Sequence, residues 1–171
     1  CFVLALGLTA GGAHAQTPAT DRTHYCPGFL AQSGAPEPDH RGEFTFSPYT
    51  YHWHYNAEHK PVVLFALDEQ LPGNRLCGLS LFSNSFGQPS TYVYVGQEFN
   101  QFLGQPQLFV KVTAGIIYGY VGKYKDKVPL NHNGFSPGLI PSVGYNFNEH
   151  DSVQVKLLGN AGVMFSYGRK F

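Results

Sequence analysis

Charged side chains are scarce in this chain of 171 residues. Asp, Glu, Lys and Arg make up 13% of it, and the 11 basic residues balance the 11 acidic ones. Globular domains average about 25% charged residues, so this composition leaves little surface suited to water. Nucleic-acid-binding domains carry an excess of positive charge, so the zero net charge argues against nucleic acid as a partner.

Long apolar runs are also missing. After residue 15, no stretch approaches the ~18 consecutive apolar residues of a membrane-spanning helix, although aromatic residues make up 15% of the chain. Few charges, many aromatic residues and short apolar segments are typical of a barrel whose strands alternate between lipid and lumen. A soluble, glycine-rich β-domain accounts for this composition equally well.

Cysteine is rare, with three in the whole chain. Residues 1–15 have the pattern of a residual secretory signal peptide, with an apolar core at Phe2–Leu8 and a small-x-small cleavage site at Ala13–Ala15. Export implies an oxidising compartment, in which Cys26 and Cys77 could form a disulfide. The sequence alone does not decide whether these two cysteines are bonded.

Two regions follow the signal. Residues 16–42 are interrupted by Pro and Gly, so we expect an irregular periplasmic leader. Over residues 43–171, short segments alternate with turn signals and leave no room for a second domain. We predict an all-β fold here, an eight-stranded antiparallel transmembrane β-barrel. Its strands are expected at Glu43–Tyr55, Pro61–Glu69, Arg75–Phe82, Ser90–Phe99, Gln107–Tyr120, Leu139–Phe147, Ser152–Leu158 and Ala161–Phe171.

One face of the predicted strands is apolar. Successive residues of a strand point to opposite sides, which places on one face of the first strand Tyr49, Tyr51, Trp53 and Tyr55. An aromatic row of this kind suits the girdle where a barrel meets lipid headgroups. The chain also closes an amphipathic strand with Phe171, as bacterial outer-membrane barrels usually do, and this favours the membrane barrel. Outward parity elsewhere gives Val63, Phe65, Leu67, Leu79, Leu81, Thr91, Val93, Val95, Val110, Val112, Ala114, Ile116, Val143, Tyr145, Phe147, Val153, Val155, Leu157, Val163, Phe165 and Tyr167.

The inward-facing residues divide the barrel interior into two halves. The half near the outer rim is apolar and contains glycine, with Thr50, Val62, Leu64, Phe82, Tyr92, Gly115, Ile117, Gly119, Leu158, Gly162 and Met164. The periplasmic half is polar, and Asp68 could pair there with Lys111 or Lys156, beside Asn146 and Gln154. An eight-stranded barrel is filled by side chains or holds one small ligand. We predict a slot for a hydrocarbon chain above a polar floor, with a close-packed core as the alternative.

Reactive side chains are expected at one rim of the barrel. Long loops of such barrels face outward, so His52 and the loop with Asn84 and Ser85 meet at the outer mouth. Imidazole titrates near neutrality, so His52 is the preferred base. Ser85 is the preferred hydroxyl, and Asn84 can orient a group or stabilise an oxyanion. The alternatives close in sequence are His54, Ser83 and His59.

At these residues the chain resembles the lipid A palmitoyltransferases of the outer membrane. The family has Thr-Trp-His on its first strand, and Asp-Ser followed by Pro and a Gly/Tyr-rich strand after its third. The similar segments here are Thr50-Tyr51-His52, Asn84-Ser85 with Pro89 and Tyr92–Gly96, Thr113–Gly115 and Leu139–Tyr145. The resemblance is patchy and covers residues 43–171. This chain has Asn84 where the family has Asp, and the glycine that sets acyl length in the family falls near Tyr94.

The resemblance implies an acyltransferase with an internal acyl pocket, which transfers a palmitoyl chain from phospholipid to lipid A through His52 and Ser85. The slot residues assigned to substrate are Leu64, Phe82, Tyr92, Tyr94, Gly115, Ile117 and Met164. Two lysines of the loop after the fifth strand, Lys123 and Lys125, could contact lipid A phosphates; an ordinary solvated loop is the alternative.

The expected location is the outer membrane of a Gram-negative bacterium, with phospholipid and lipid A as partners. We expect a monomer without a cofactor. His52 and His54 share a strand face, but no carboxylate or cysteine has the spacing to complete a metal site with them. The alternatives are a catalytically inactive lipid-binding or structural barrel, a lipid A deacylase and a small-solute transporter. A deacylase of this shape requires a His-x-Ser pair on one strand face, which His52 and His54 do not supply.

Overall fold

The computed structural model describes residues 24–171. The predicted signal peptide and the first part of the leader lie outside the described residues. The described chain forms a closed barrel in which each strand pairs with its neighbour in sequence and the eighth pairs with the first. The strands are β1 (Gly42–His52), β2 (Leu64–Leu71), β3 (Arg75–Ser83), β4 (Pro89–Asn100), β5 (Leu108–Tyr118), β6 (Phe135–Asn146), β7 (Asp151–Leu157) and β8 (Gly162–Lys170). Short 3-10 turns occupy Gly28–Leu30, Phe102–Gly104 and Gly122–Lys127.

The eight antiparallel strands confirm the predicted barrel, and the largest differences between predicted and observed bounds lie in β1, β2 and β6. β2 begins at Leu64 instead of Pro61. β1 ends at His52, and Tyr55 lies in the following loop. β6 begins at Phe135 instead of Leu139, because residues 135–138 pair with β5. Pro137 is tolerated there because the other side of β6 has no strand partner at this level.

A bulge in β1 was not predicted. The register between β1 and β8 shifts between Phe46 and Tyr49, where Pro48 lacks the N–H that a regular ladder needs. A bulge inserts one residue and changes which parity faces inward. Glu43 is therefore buried in the interior before the bulge, whereas Thr50 is buried there after it.

The outer surface of the barrel is apolar. The predicted outward row is exposed at Tyr49, Tyr51 and Trp53, by 46–56% of their surface. Large apolar side chains of the other strands are exposed in the same way, among them Phe65, Leu67, Leu79, Leu81, Val93, Val95, Ile116, Val143, Tyr145, Val153, Val155, Leu157, Phe165 and Tyr167. The interior, by contrast, contains buried polar and charged side chains, among them Glu43, Asp68, Lys111 and Gln154.

We call the end of the barrel with the β1–β2, β3–β4, β5–β6 and β7–β8 connections the outer end, and the opposite end the inner end. In the inner half, the Lys111 ammonium contacts the carboxylates of Glu43 and Asp68. Asp68 thus pairs with Lys111, one of the two partners predicted for it. Two clusters of buried apolar side chains also line the interior, Val62, Leu64, Ala66 and Met164 in the outer half, and Leu76, Tyr92 and Tyr94 in another that reaches the inner end at Leu76.

The segment before β1 is attached to the outside of the barrel at the inner end. A disulfide joins Cys26 to Cys77 of β3. One carboxylate oxygen of Glu69 accepts the backbone N–H groups of Tyr25, at 2.7 Å, and Cys26, at 2.6 Å. The chain before β1 is therefore fixed to the barrel at several points, although it contains little regular structure.

Within residues 24–171, no helix has the length and apolar content needed to cross a membrane.

Two gaps interrupt the hydrogen-bonded wall in the outer half. β1 pairs with β2 only as far as Ser47 and Leu64, although β1 continues along β8 to His52. β6 pairs with β7 only from Ser142 inward, although β6 extends along β5 back to Phe135. Both gaps open at the same end of the barrel as His52.

Candidate functional site

His52 and Ser85 meet at the outer end of the barrel. His52 is the last residue of β1, and Ser85 lies in the connection between β3 and β4. His52 Nε2 and Ser85 Oγ are 2.7 Å apart, within hydrogen-bond distance. The backbone N–H of Lys60 donates to the Ser85 carbonyl over 2.8 Å and links the β1–β2 loop to this connection. The structure thus brings together the base and the hydroxyl that the sequence placed at one rim.

Asn84, the third residue of the predicted catalytic set, shapes the loop that carries Ser85. Its side chain is fully buried, and its Oδ1 accepts the backbone N–H groups of Phe86, at 3.0 Å, and Gln88, at 3.1 Å. Its Nδ2 donates to the Gln88 side chain over 3.3 Å. Among the described residues, no hydrogen bond joins the Asn84 side chain to His52. Asn84 thus fixes the position of Ser85 instead of orienting the imidazole.

The sequence alternatives to these residues lie in different places. The Ser83 hydroxyl donates to the Pro61 carbonyl over 3.1 Å, so it is engaged with the β1–β2 loop instead of His52. His54 follows the end of β1 and is exposed. His59 does reach the site: its ring centroid lies 4.3 Å from that of His52 and 5.6 Å from that of Phe86.

His59 belongs to a row of rings across the outer end. Phe86 stacks on Tyr124 with centroids 4.3 Å apart, so contacts run from His52 through His59 and Phe86 to Tyr124. Aromatic pairs of this kind contribute about 0.5–1.5 kcal/mol each beyond area burial. The row contacts the His52 ring through His59. The sequence indicates His59 only as an alternative base, because contacts between loops are not visible in a linear pattern.

Tyr120 is a site residue that the sequence analysis missed. It follows β5, and its hydroxyl lies beside the Ser85 hydroxyl. Burial raises the pKa of the Tyr120 phenol, and the contact with Ser85 offsets only part of that rise. The phenol therefore stays protonated at neutral pH and can donate a hydrogen bond at the place where Ser85 and His52 meet. In the sequence, a tyrosine of the active site at the end of a strand cannot be distinguished from a tyrosine of the aromatic girdle.

An apolar cavity of about 230 Å³ opens beneath Ser85. Five of the residues predicted to form the slot line it, namely Leu64, Phe82, Tyr92, Ile117 and Met164. An engineered apolar cavity of ~150 Å³ in another protein stays dry and binds benzene, so this space can hold a hydrocarbon segment. The outer half of the interior therefore contains a cavity and not the close-packed core that was the alternative from the sequence.

The cavity also reaches the gap between β6 and β7. Its lining includes Pro137 and Leu139 on the β6 edge and Leu158–Ala161 on the opposite side. Leu139 is 67% exposed on the outer surface of the barrel. The cavity is therefore continuous with the outside of the wall at this gap.

The floor of the cavity is aromatic and then charged. The rings of Tyr92 and Tyr94 stack with centroids 4.7 Å apart, and the Tyr94 hydroxyl donates to Asp68 of the inner half. Tyr94, predicted as a slot residue, thus lies below the cavity and supports Tyr92. Gly115, another predicted slot residue, lies in the wall, where a Cβ would come within 2.0 Å of the Val93 carbonyl oxygen.

The predicted lysines lie in the 3-10 segment Gly122–Lys127 above the mouth. Lys123 Nζ is 2.7 Å from a Glu58 carboxylate oxygen, so this cation is paired across the β1–β2 and β5–β6 loops. The hydrogen bond from Lys123 lowers the pKa of Glu58, and the same bond raises the pKa of Lys123. Lys125 is exposed on the same segment. The Gln88 side chain donates to the Val121 carbonyl over 3.1 Å and accepts the Val121 backbone N–H over 3.2 Å. These bonds join the β3–β4 and β5–β6 loops.

Within residues 24–171, the side chains grouped closely enough to hold a metal ion are Cys26, Glu69 and Cys77. The two cysteines are joined as a disulfide, so their sulfur atoms are not available as thiolate ligands. The groups available for chemistry at the outer end are the His52 imidazole, the Ser85 hydroxyl and the Tyr120 phenol, beside an apolar cavity.

No protein-family model matches this chain, and no curated protein matches it.

Proposed function

We propose that this protein is an outer-membrane lipid acyltransferase that moves a palmitoyl-type chain from phospholipid to lipid A. The observation that carries the proposal is the hydrogen bond of 2.7 Å between His52 and Ser85 at the mouth of an apolar cavity that Ser85 itself lines. An acyl chain in the cavity would place its ester carbonyl at the mouth. A base and a hydroxyl are the groups that acyl transfer needs at that carbonyl.

The outer surface supports a membrane location. Exposed apolar side chains cover strands around the barrel, whereas buried Lys111, Glu43 and Asp68 hold their charges inside. Monomeric soluble proteins rarely expose apolar patches beyond a few hundred Å². Outside the two gaps in the outer half, neighbouring strands pair all around the closed barrel, as a sheet in lipid requires.

The gap between β6 and β7 supports a lateral route for the acyl chain. Above Ser142, β6 has no partner on its β7 side, and Pro137 and Pro141 there have no N–H to leave unpaired. The cavity lining includes both sides of this gap. A phospholipid chain can therefore enter from the membrane, while the charged inner half closes the barrel to solutes and opposes a transporter.

The proposed reaction exchanges one ester for another. His52 accepts the proton of the attacking lipid A hydroxyl, which binds beside Ser85, and the oxygen of that hydroxyl forms a bond to the ester carbonyl carbon. The ester bond to the phospholipid glycerol breaks, and its oxygen takes the proton from His52 to leave as a lysophospholipid. Tyr120 is placed to donate a hydrogen bond to the carbonyl oxygen as negative charge develops there. The net products are lysophospholipid and lipid A with one more acyl chain.

The test is the lipid A of cells that produce the protein or its variants. We expect an additional acyl chain with the wild-type protein, and its loss with His52→Ala and Ser85→Ala. His54→Ala and Ser83→Ala are matched controls, because each removes the same side chain nearby without touching the hydrogen-bonded pair. Wild-type acylation in both site variants would refute the assignment, provided that immunoblots show equal amounts of each protein in the outer membrane.

A second candidate is a barrel that binds lipid without catalysis. Among the described residues, no carboxylate forms a hydrogen bond to His52, and Asn84 is engaged within its loop. A base without a carboxylate partner is a weaker catalyst, which is the observation in favour of this candidate. Mass spectrometry of the purified protein with labelled phospholipid separates the two. Retained, unprocessed phospholipid supports binding, whereas lysophospholipid supports transfer.

A further inference from the structure

A second apolar groove lies on the outer wall of the barrel at the inner end, away from His52. Its volume is about 440 Å³. Its walls come from the segment before β1 and from the outward faces of β4 and β5, chiefly Phe29, Leu30, Val95, Phe99, Val112 and Ala114. This groove is outside the barrel, so it is separate from the cavity beneath Ser85.

One wall of the groove is held in place by covalent and polar bonds. Phe29 and Leu30 form the 3-10 turn that follows Cys26, and Cys26 is bonded to Cys77 on β3. Glu69 accepts the backbone N–H of Cys26 at 2.6 Å. The groove is therefore formed before any ligand binds, which lowers the ordering cost of binding.

Arg75 is the charged residue that lines this groove. Its Nη1 donates to the Leu30 carbonyl over 3.1 Å, and within residues 24–171 no carboxylate forms an ion pair with it. A guanidinium has five N–H donors, so most of them remain available. An ionised group beside apolar surface is unfavourable without a counter-ion, and the planar guanidinium suits a phosphate group.

The cation and part of the apolar lining of the groove lie at different depths of the wall. Arg75 begins β3 next to the turn at the inner end, and it pairs with Gln97 of β4. Val95 and Ala114 pair with each other two residues farther along their strands, which is about 7 Å toward the middle of the wall. The cation thus lies at the rim, and the apolar strip runs from it toward the centre of the wall. A phospholipid at this rim has the same order of groups, with its phosphate outermost and its acyl chain running inward.

We propose that this groove is a binding site for one anionic phospholipid, with the phosphate against Arg75 and an acyl chain along Val95 and Ala114. The proposal rests on the membrane location argued above and is independent of acyl transfer. The occupant is a lipid that remains intact, held at the opposite end of the barrel from His52.

The test is lipid retention by the purified protein in detergent micelles, followed by native mass spectrometry. Phosphatidylglycerol and phosphatidylcholine with the same acyl chains are titrated separately. We expect one saturable phosphatidylglycerol, retained at least tenfold more tightly than phosphatidylcholine. Arg75→Gln should abolish this preference. Arg169→Gln should keep it, because Arg169 lies at the same end of the barrel on β8 and already pairs with Asp151 at 2.7 Å.

A second variant and a mapping experiment locate the lipid. Ala114→Trp places a large side chain in the groove without changing charge and should reduce retention of both lipids. A photoreactive phosphatidylglycerol should crosslink to peptides that contain Phe29 or Val95. Equal retention of the two lipids, an unchanged preference in Arg75→Gln, or crosslinks only to residues of the upper cavity such as Met164 would overturn the proposal. Acyl-transfer activity is expected to be unchanged in Arg75→Gln, so failure of the enzyme assignment would leave this binding result intact.

Discussion

Removal of the buried Lys111 ammonium should strongly destabilise the barrel. Its side chain is 2% exposed and contacts Glu43, Asp68 at 3.1 Å and Glu98 at 3.8 Å. Those three carboxylates are themselves buried, at 0%, 3% and 6% exposure. Lys111→Met keeps the length of the side chain and removes its charge, so the carboxylates would face one another without the central cation.

The expected loss follows from the cost of an unpaired buried charge. Breaking a buried ion pair by removing one partner typically costs about 3–5 kcal/mol, because the remaining charge stays out of water. Lys170 lies 3.6 Å from Glu98 and still compensates that carboxylate. Glu43 and Asp68 keep weaker partners, such as the Gln154 amide at 2.6 Å from Glu43. We therefore expect a loss of about 3 kcal/mol in the free energy of unfolding.

Guanidinium unfolding in detergent micelles, followed by circular dichroism, measures this loss. Lys125→Met is the matched control, since Lys125 is exposed and surface substitutions usually change stability by within ~0.5 kcal/mol. The double variant Lys111→Met/Glu43→Gln should recover part of the loss, because it removes one of the unpaired charges. A change below ~1 kcal/mol for Lys111→Met would refute the reasoning and would mean that the ion cluster does not stabilise the inner half.

Three further outcomes are expected. Tyr92→Ala should deepen the cavity floor and shift the transferred acyl chain to a greater length, read by mass spectrometry of lipid A; an unchanged chain length would contradict Tyr92 as the floor. His59→Phe should keep the ring contact with His52 and most of the activity, whereas His59→Ala should lower the rate about 2–10-fold, from the loss of an aromatic contact; equal rates would exclude a positioning role. Lys123 lowers the pKa of Glu58, so their bond is present at neutral pH and is lost as the pH falls through that lowered pKa. Hydrogen exchange of the two loops should accelerate there, and Glu58→Gln should remove the pH dependence.

The alternation of side chains and the turn signals between segments predicted the strands, and the terminal aromatic residue favoured the barrel. Each of the eight predicted strands overlaps an observed one. Alternate apolar residues such as Val93 and Val95, or Val153 and Val155, indicate the outward face of their strands. The meeting of His52 and Ser85 also followed from the sequence, because antiparallel strands in chain order bring alternate loops to one rim. The alternation over residues 49–52 correctly places His52 on the inner face, because all of these residues follow the bulge and share one register.

The bulge and the loop contacts were not predictable from those patterns. The shift between Phe46 and Tyr49 depends on the pairing of β1 with β8, which joins the two ends of the chain. It also explains why Glu43 was not recognised as part of the buried ion cluster. The roles of Asn84 and His59 depend on contacts between loops, whose conformations carry no periodic signal. The roles of side chains on such loops can be assigned only from the three-dimensional structure.

The most direct test of the central claim uses the purified protein in vesicles that contain lipid A and a phospholipid with a labelled acyl chain. Mass spectrometry of the products should find the label on lipid A and an equal amount of lysophospholipid, with neither product formed by Ser85→Ala. Folded, membrane-inserted protein that leaves both lipids unchanged would contradict the account.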